Sequence, residues 1–182
     1  MADNETNVTT ETNEVGQLQR SALLQYLLVP FSLTIPQSQA WYLIGKHVND
    51  LSVNLNADVE KIKNILDETA AIDNGYEPEA DVDTYYANPK DGEIYTTLKN
   101  ITMNRLKGEA CMTKILEILV DNTTGTYQAW TEDVMVKPTS YGGAPGGVRI
   151  PFNIAYCGNR EEGTATLTKT KVPTYTPPAP TV

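Results

Sequence analysis

The sequence predicts a mainly β fold of the α+β kind, with antiparallel strands interrupted by one helix. Three observations carry that expectation: period-2 alternation over residues 48–59 and 80–87, one capped stretch of helical spacing over residues 89–107, and four strand-like runs between residues 111 and 172 separated by turn clusters. At 182 residues the chain is the size of one compact domain with short appendages.

Residues 1–20 are expected to form a flexible N-terminal arm, because the first sixteen are rich in Asn, Thr and Glu and hold too little apolar surface to offset the entropy of ordering. The β domain is placed at residues 21–172. At its start, residues 17–28 put Leu23, Leu24, Leu27 and Leu28 at helix-compatible spacing, but Pro30 and Pro36 follow, so a short helix or an ordered arm fits. Residues 48–59 read as a half-buried strand with Leu51, Val53, Leu55, Ala57 and Val59 on one face and Ser52, Asn54, Asn56 and Asp58 on the other. Alternation breaks at Glu60–Lys61, so residues 61–79 are expected to be a long excursion with a turn at Asp73–Asn74–Gly75. A second strand at residues 80–87 sets Ala80, Val82, Thr84 and Tyr86 against Asp81, Asp83 and Tyr85.

The helix is expected to run from Pro89 to about Lys107. Asn88 can cap it, Asp91 and Glu93 complement its N-terminal dipole, and Ile94, Tyr95, Leu98, Ile101 and Leu106 form its inward stripe, with Gly108 at the C-terminal end. Strands at residues 111–121, 127–137, 148–158 and 163–172 then pair as two hairpins. In the third of them Val148, Ile150, Phe152, Ile154 and Tyr156 share a face, and Pro151 argues for an edge or a bulge. Four prolines make residues 173–182 an extended tail outside any ladder.

Composition narrows the function classes. Fourteen Lys and Arg against 23 Asp and Glu leave a charge of -9, which repels a polyanion, and the first fifteen residues hold four of the acidic groups and no cation. Cys111 and Cys157 both sit in strand-like runs and are expected to be buried free thiols, in a chain made in a reducing cytosol. The N-terminus lacks the basic and apolar regions of a signal peptide, and no apolar run approaches the ~18 residues of a membrane span.

Catalytic patterns are sparse. His47 is the one histidine, and one histidine with two distant cysteines does not make a transition-metal site. The Gly-rich run at residues 140–147 lacks the Lys-Ser/Thr ending of a phosphate loop and reads as a flexible inter-strand loop. Ser52 and Ser140 have no nucleophile-elbow context. Asp81 and Asp83 can be drawn as a carboxylate pair for glycan hydrolysis or calcium, but alternating acids on a wet strand face explain them equally. No enzyme, cofactor or metal is therefore expected. Ten tyrosines and two tryptophans against two phenylalanines favour aromatics with a polar end, suited to partly wet subunit contacts; core packing explains most of them, and Trp41 and Trp130 are expected to be buried.

Several phrases resemble the major tail tube proteins of tailed bacteriophages and related phage-tail-like particles: WYLIGKHVNDLSVNLNADVE at residues 41–60, NGYEP at 74–78, PTSYGG at 138–143, IPFNI at 150–154 and GNR at 158–160. They span most of residues 20–170 in the expected order. The resemblance implies a β-sandwich or half-barrel with one flanking helix that closes with its own copies into a ring, usually a hexamer, and stacks into a tube whose bore passes DNA as non-specific cargo. It further implies tail initiator or baseplate, tape measure and tail terminator proteins as partners, and a place in the virion tail. By position, residues 61–79 would reach a neighbouring subunit, with Lys61, Ile62, Ile65, Leu66, Ile72 and Tyr76 as contacts. The polar faces of the two alternating strands offer Ser52, Asn54, Asn56, Asp58, Asp81 and Asp83 as bore-lining groups to which phosphates do not adhere. The competing reading is a monomeric β-sandwich that binds or decorates a virion or cell surface.

Overall fold

The computed structural model describes residues 16–45, 48 and 51–179. His47 and most of the expected N-terminal arm lie outside the described residues.

A nine-stranded antiparallel sheet forms the body, and it is built around three strands: β1 (Leu23–Leu28), β7 (Met112–Leu119) and β8 (Thr126–Pro138). The first of these corrects the sequence expectation of a helix or arm at residues 17–28. Only residues Arg20–Ala22 are helical, as one 3-10 turn, and the leucines that follow are extended. The pattern misleads because β1 is buried on both faces, so its apolar residues run continuously and carry no period of their own.

Burial on both faces has a topological cause. The thirteen-residue strand β8 holds two partners along one edge: its first half pairs β10 (Glu161–Leu167) and its second half pairs β9 (Phe152–Tyr156). The expected hairpin between residues 148–158 and 163–172 is therefore absent; β9 and β10 run in the same direction along β8, joined through a kink at Cys157–Arg160. Pro151 lies just before β9, which is an interior strand paired to both β8 and β6 (Glu79–Val82), so neither an edge nor a bulge was needed to accommodate it.

At this fork the sheet curls two ways. On one face of the central strands Leu27, Ile115, Val134 and Val136 pack with Ala80, Val82, Phe152 and Ile154. On the other, Leu24, Tyr26, Leu116 and Ile118 pack with Tyr127, Ala129, Ala165 and Tyr175. The first lobe follows the order β1-β7-β8-β9-β6-β3, where β3 is Val53–Asn54, and helix α1 (Glu93–Asn104) covers it with Ile94 and Leu98. Asn88 caps as expected, but what it caps is a 3-10 turn at Pro89–Asp91; α1 itself ends at Asn104 with Arg105 in the left-handed region, short of the expected Lys107.

The second lobe adds β2 (Trp41–Leu43), on the free side of β1, and β11 (Pro173–Thr176), on the free side of β10. β11 falls in the tail expected to stay outside any ladder. It forms because Pro173 is its first residue and Pro177 and Pro178 come after its last, so the prolines block no ladder hydrogen bond, while Tyr175 buries its ring in the core. Gly163 permits the close approach, since a Cβ there would lie 2.5 Å from the carbonyl oxygen of Thr176. Gln39 then completes the lobe: its Nε2 donates to the Tyr175 carbonyl and its Oε1 accepts from the Tyr175 N–H, each at 2.8 Å, so a side-chain amide takes the place of a neighbouring strand between β11 and β2.

Cys111 is buried and Cys157 is exposed, both as free thiols; the second departs from expectation because it sits at the kink between β9 and β10. Trp41 and Trp130 are half-buried, at the margins of the two lobes.

Candidate assembly surface

The strand expected over residues 48–59 is cut in two by Asn56, whose φ of 45 turns the chain out of the sheet. Only Val53–Asn54 pairs with β6; Leu51 and Val53 face the core as expected, while Leu55 and Val59 are exposed. From Ala57 the chain forms β4 (Ala57–Lys63), which pairs with β5 (Thr69–Tyr76) as a separate two-stranded ribbon. The expected excursion is thus a regular hairpin starting earlier than residue 61. Its turn lies at residues 64–68, where the Asn64 side chain accepts from the N–H groups of Leu66 and Glu68. Asp73–Asn74–Gly75 is not the turn but a bulge within β5, where the pairing shifts one residue between Asp58 and Val59 and Gly75 takes φ 93.

Nearly every hairpin residue is exposed. Ile65 is fully in water at 102% of its reference area and Leu66 is 73% exposed; Leu55, Val59, Ile62, Ile72 and Tyr76 are exposed with them. In register, Ile62 lies opposite Ala70 and Ile72 opposite Glu60 on one face, while Lys61 and Lys63 lie on the other with Val59 and Asp73. All six expected contact residues, Lys61, Ile62, Ile65, Leu66, Ile72 and Tyr76, are therefore brought onto one projecting element.

The six expected bore-lining residues are all exposed, but they do not form one face. Asn54 lies opposite Glu79 and Asp81 opposite Asn153, whose amide donates to it at 3.0 Å, so Asn54 and Asp81 share the outer face of the first lobe. Ser52 and Asp83 lie just beyond the ends of those strands. Asn56 is the corner, donating to the Glu77 carbonyl and to Glu79, and Asp58 is on the hairpin, accepting from Asn74. A one-strand reading of residues 48–59 could not separate these last two from the rest.

At the hairpin base the first lobe opens into a mouth of about 690 Å³, walled by Leu23, Val53, Leu55, Tyr76, Leu119 and Trp130. Its floor is charged. Glu117 and Glu132, only 8% and 6% exposed, share the Arg160 guanidinium at 3.0 and 2.8 Å; Gln25 and the Tyr156 hydroxyl also donate to Glu117, each at 3.0 Å. Burial, reinforced by the Glu117 charge, raises the Tyr156 hydroxyl far above its ordinary range, so it stays a donor. Burial would weaken the Arg160 cation, but the hydrogen bond to Glu132 and the charge of Glu117 outweigh it and raise its pKa. Sequence reasoning did not find this cluster. Part of the signal was available: Glu117 sits inside the apolar run Ile115–Val120, where an acid must be paired, whereas Glu132, between Thr131 and Asp133, gives no such sign.

On the opposite face Lys114 meets Asp133 at 2.6 Å, with Asn159 donating to the second carboxylate oxygen. Burial alone would raise the Asp133 carboxyl, yet the Asn159 and Lys114 hydrogen bonds hold it below the usual range. Among the described residues no group of His, Cys, Asp and Glu is placed to hold a metal ion, and no helix is long and apolar enough to cross a membrane.

The fold defines the class of protein: an antiparallel β sheet curled into half-barrels, with one covering helix. No family model matches the chain, and no curated protein matches it in sequence. Among solved structures, it is similar to the sheath/tube terminator of PVC, an extracellular contractile injection system, in the extended state, at 8% identity over 80% of this chain and 95% of that one, with a TM-score of 0.46. It is also similar to the tube-terminating cap of the anti-feeding prophage, at 13% identity over 91% of this chain and 99% of that one, with a TM-score of 0.45.

Proposed function

We propose that this chain is a structural subunit of a bacteriophage-type tail tube, acting by self-assembly and not by catalysis. The observation that carries the reading is the hairpin: a ribbon standing clear of both cores, with seven large apolar side chains between Leu55 and Tyr76 in water. Monomers rarely expose this many large apolar side chains on one element without a partner. The resemblance of residues 41–60, 74–78, 138–143, 150–154 and 158–160 to tail tube proteins supports the same partner, further copies of this chain.

In this reading the subunit closes into a ring, hexameric by the resemblance, and rings stack into a tube that passes DNA. Asn54 and Asp81, with Ser52 and Asp83 beyond the strand ends, turn a small, acidic face to the bore, so the cargo slides without adhering. Asn56 and Asp58 lie where the hairpin departs. Initiator or baseplate, tape measure and terminator proteins set where the tube starts, how long it grows and where it stops, and the product resides in the virion tail after synthesis in the host cytoplasm.

Negative-stain microscopy of the purified chain, alone and with its initiating complex, tests this. Rings or rods are expected; a chain that stays monomeric in both conditions overturns it. In a density map of the assembled particle Asp81 should face the bore. Removal of residues 1–20 is expected to shorten or abolish stacking while leaving single rings.

A further inference from the structure

The hairpin tip and the mouth of the first lobe are two uncovered apolar surfaces on one chain, and we infer that they are the two halves of one contact, with Ile65 and Leu66 of one copy seated in the mouth of the next. This rests on the self-assembly reading above and specifies what meets what within it.

Geometry excludes the simpler solution, in which a chain plugs its own mouth. Leu55 and Tyr76, at the hairpin base, form part of the mouth's wall. The seven residues of β4, rising roughly 3.3 Å each, carry the tip about 20 Å away from that base. Pairing from Ala57 and Tyr76 to Lys63 and Thr69 holds the ribbon extended, so the tip cannot fold back. The occupant must come from another molecule.

Chemistry selects a second copy. The mouth offers apolar walls above a floor in which two carboxylates, Glu117 and Glu132, share one guanidinium. The hairpin offers the apolar complement: branched aliphatic side chains at the tip, on a ribbon whose five acids outnumber Lys61 and Lys63, so the match is one of apolar surfaces and not of charge. Seating the tip would also remove water from above the Arg160 clamp, strengthening its ion pairs. A contact between two different patches of identical chains is head-to-tail, so it propagates from copy to copy and closes into a ring when the rotation allows.

The test joins the two patches covalently. In a Cys157→Ser background, which removes the exposed native thiol, Leu66→Cys is combined with Leu119→Cys inside the mouth or, as a milder alternative, with Leu55→Cys at its rim. Oxidation of assembled particles should yield a ladder of covalent multimers from either pair and none from the single variants. A control pairing Leu66→Cys with Met103→Cys, on the exposed face of α1, should yield none. Assembled particles without the ladder, or with an equal ladder from the control, overturn the contact and leave tube formation standing; a chain that forms no particles overturns both. Independently, the double variant Ile65→Asp, Leu66→Asp should raise the concentration needed for assembly at least tenfold while melting as the parent does, and assembly at the parent's concentration overturns the contact.

Discussion

The two lobes share three strands yet end differently. The second lobe is shut: β10 and β11 complete its wall, the Gln39 amide joins β11 to β2, and its core holds only one polar atom without a partner among the described residues, the Tyr127 hydroxyl. The first lobe is covered by α1 at one end and open at the other, where β3 has two residues and the hairpin leaves the sheet. An unpaired sheet margin invites another chain. The chain spends a dedicated glutamine on closing one margin and leaves the other with a mouth and a projecting arm, which is the asymmetry expected when only one end of a subunit is for partners.

The largest expected effect lies where the open lobe resembles the closed one in being buried. Arg160→Met leaves Glu117 and Glu132 nearly buried with no cation between them, at an expected cost of about 3–5 kcal/mol in urea denaturation. Survival of most of the stability would show that water fills the mouth well enough to replace the guanidinium. Across the sheet, Lys114→Met deprives Asp133 of its cation but leaves Asn159, so a smaller loss of about 1.5–3 kcal/mol is expected. Because the folded Asp133 carboxyl is held below its ordinary value, the stability it contributes is complete above the unfolded value and disappears as pH falls through the folded one. Parent and Asp133→Asn should therefore differ at neutral pH and converge in strong acid; a gap that persists there would assign the loss to packing instead of charge.

Gln39→Ala probes the closed margin. Two hydrogen bonds to the Tyr175 backbone and one from the Trp41 indole are lost where water can partly replace them, so about 1 kcal/mol is expected. The sharper readout is hydrogen exchange: the Tyr175 amide should lose protection while that of Leu116, on central β7, keeps it.

How far the chain could be read in advance divides along the same lines. Where one face is wet, the period survives: Ala80 and Val82, Ile150, Phe152 and Ile154, and the α1 stripe residues Ile94, Leu98 and Ile101 are visible as patterns and buried as expected, but the alternation expected to residue 87 stops with β6 at Val82, after which Tyr85 is buried and Tyr86 exposed. Where both faces are covered the period vanishes, so β1 passed for a helix or an arm. Non-local choices left no local trace either. Nothing in residues 148–167 says that β9 and β10 share β8 instead of pairing with each other, and although asparagine tolerates positive φ, nothing singles out Asn56 from Asn49 or Asn54 as the residue that splits residues 48–59. Asp73–Asn74–Gly75 has turn chemistry, which a bulge uses equally well. That Ile62, Ile65, Leu66 and Ile72 leave the core was reachable, because their irregular spacing marks residues 61–79 as an excursion; the mouth, assembled from six strands, was not.

The smallest expected effect on the subunit concerns its most exposed part. Replacing residues 58–75 by a two-residue Asn-Gly link removes a ribbon that touches neither core, so the melting transition of the remaining domain should stay within about 0.5 kcal/mol of the parent. Asn56 keeps the corner through its bonds to Glu77 and Glu79, and Leu55 stays hydrogen-bonded to Glu77, so the short link starts from a backbone already turned to receive it. A large loss of stability would mean that the hairpin supports its own lobe and that its apolar face is intramolecular. A folded, stable domain that no longer assembles would instead separate the two requirements on this chain, leaving the cores to make the subunit and the ribbon to join it to the next.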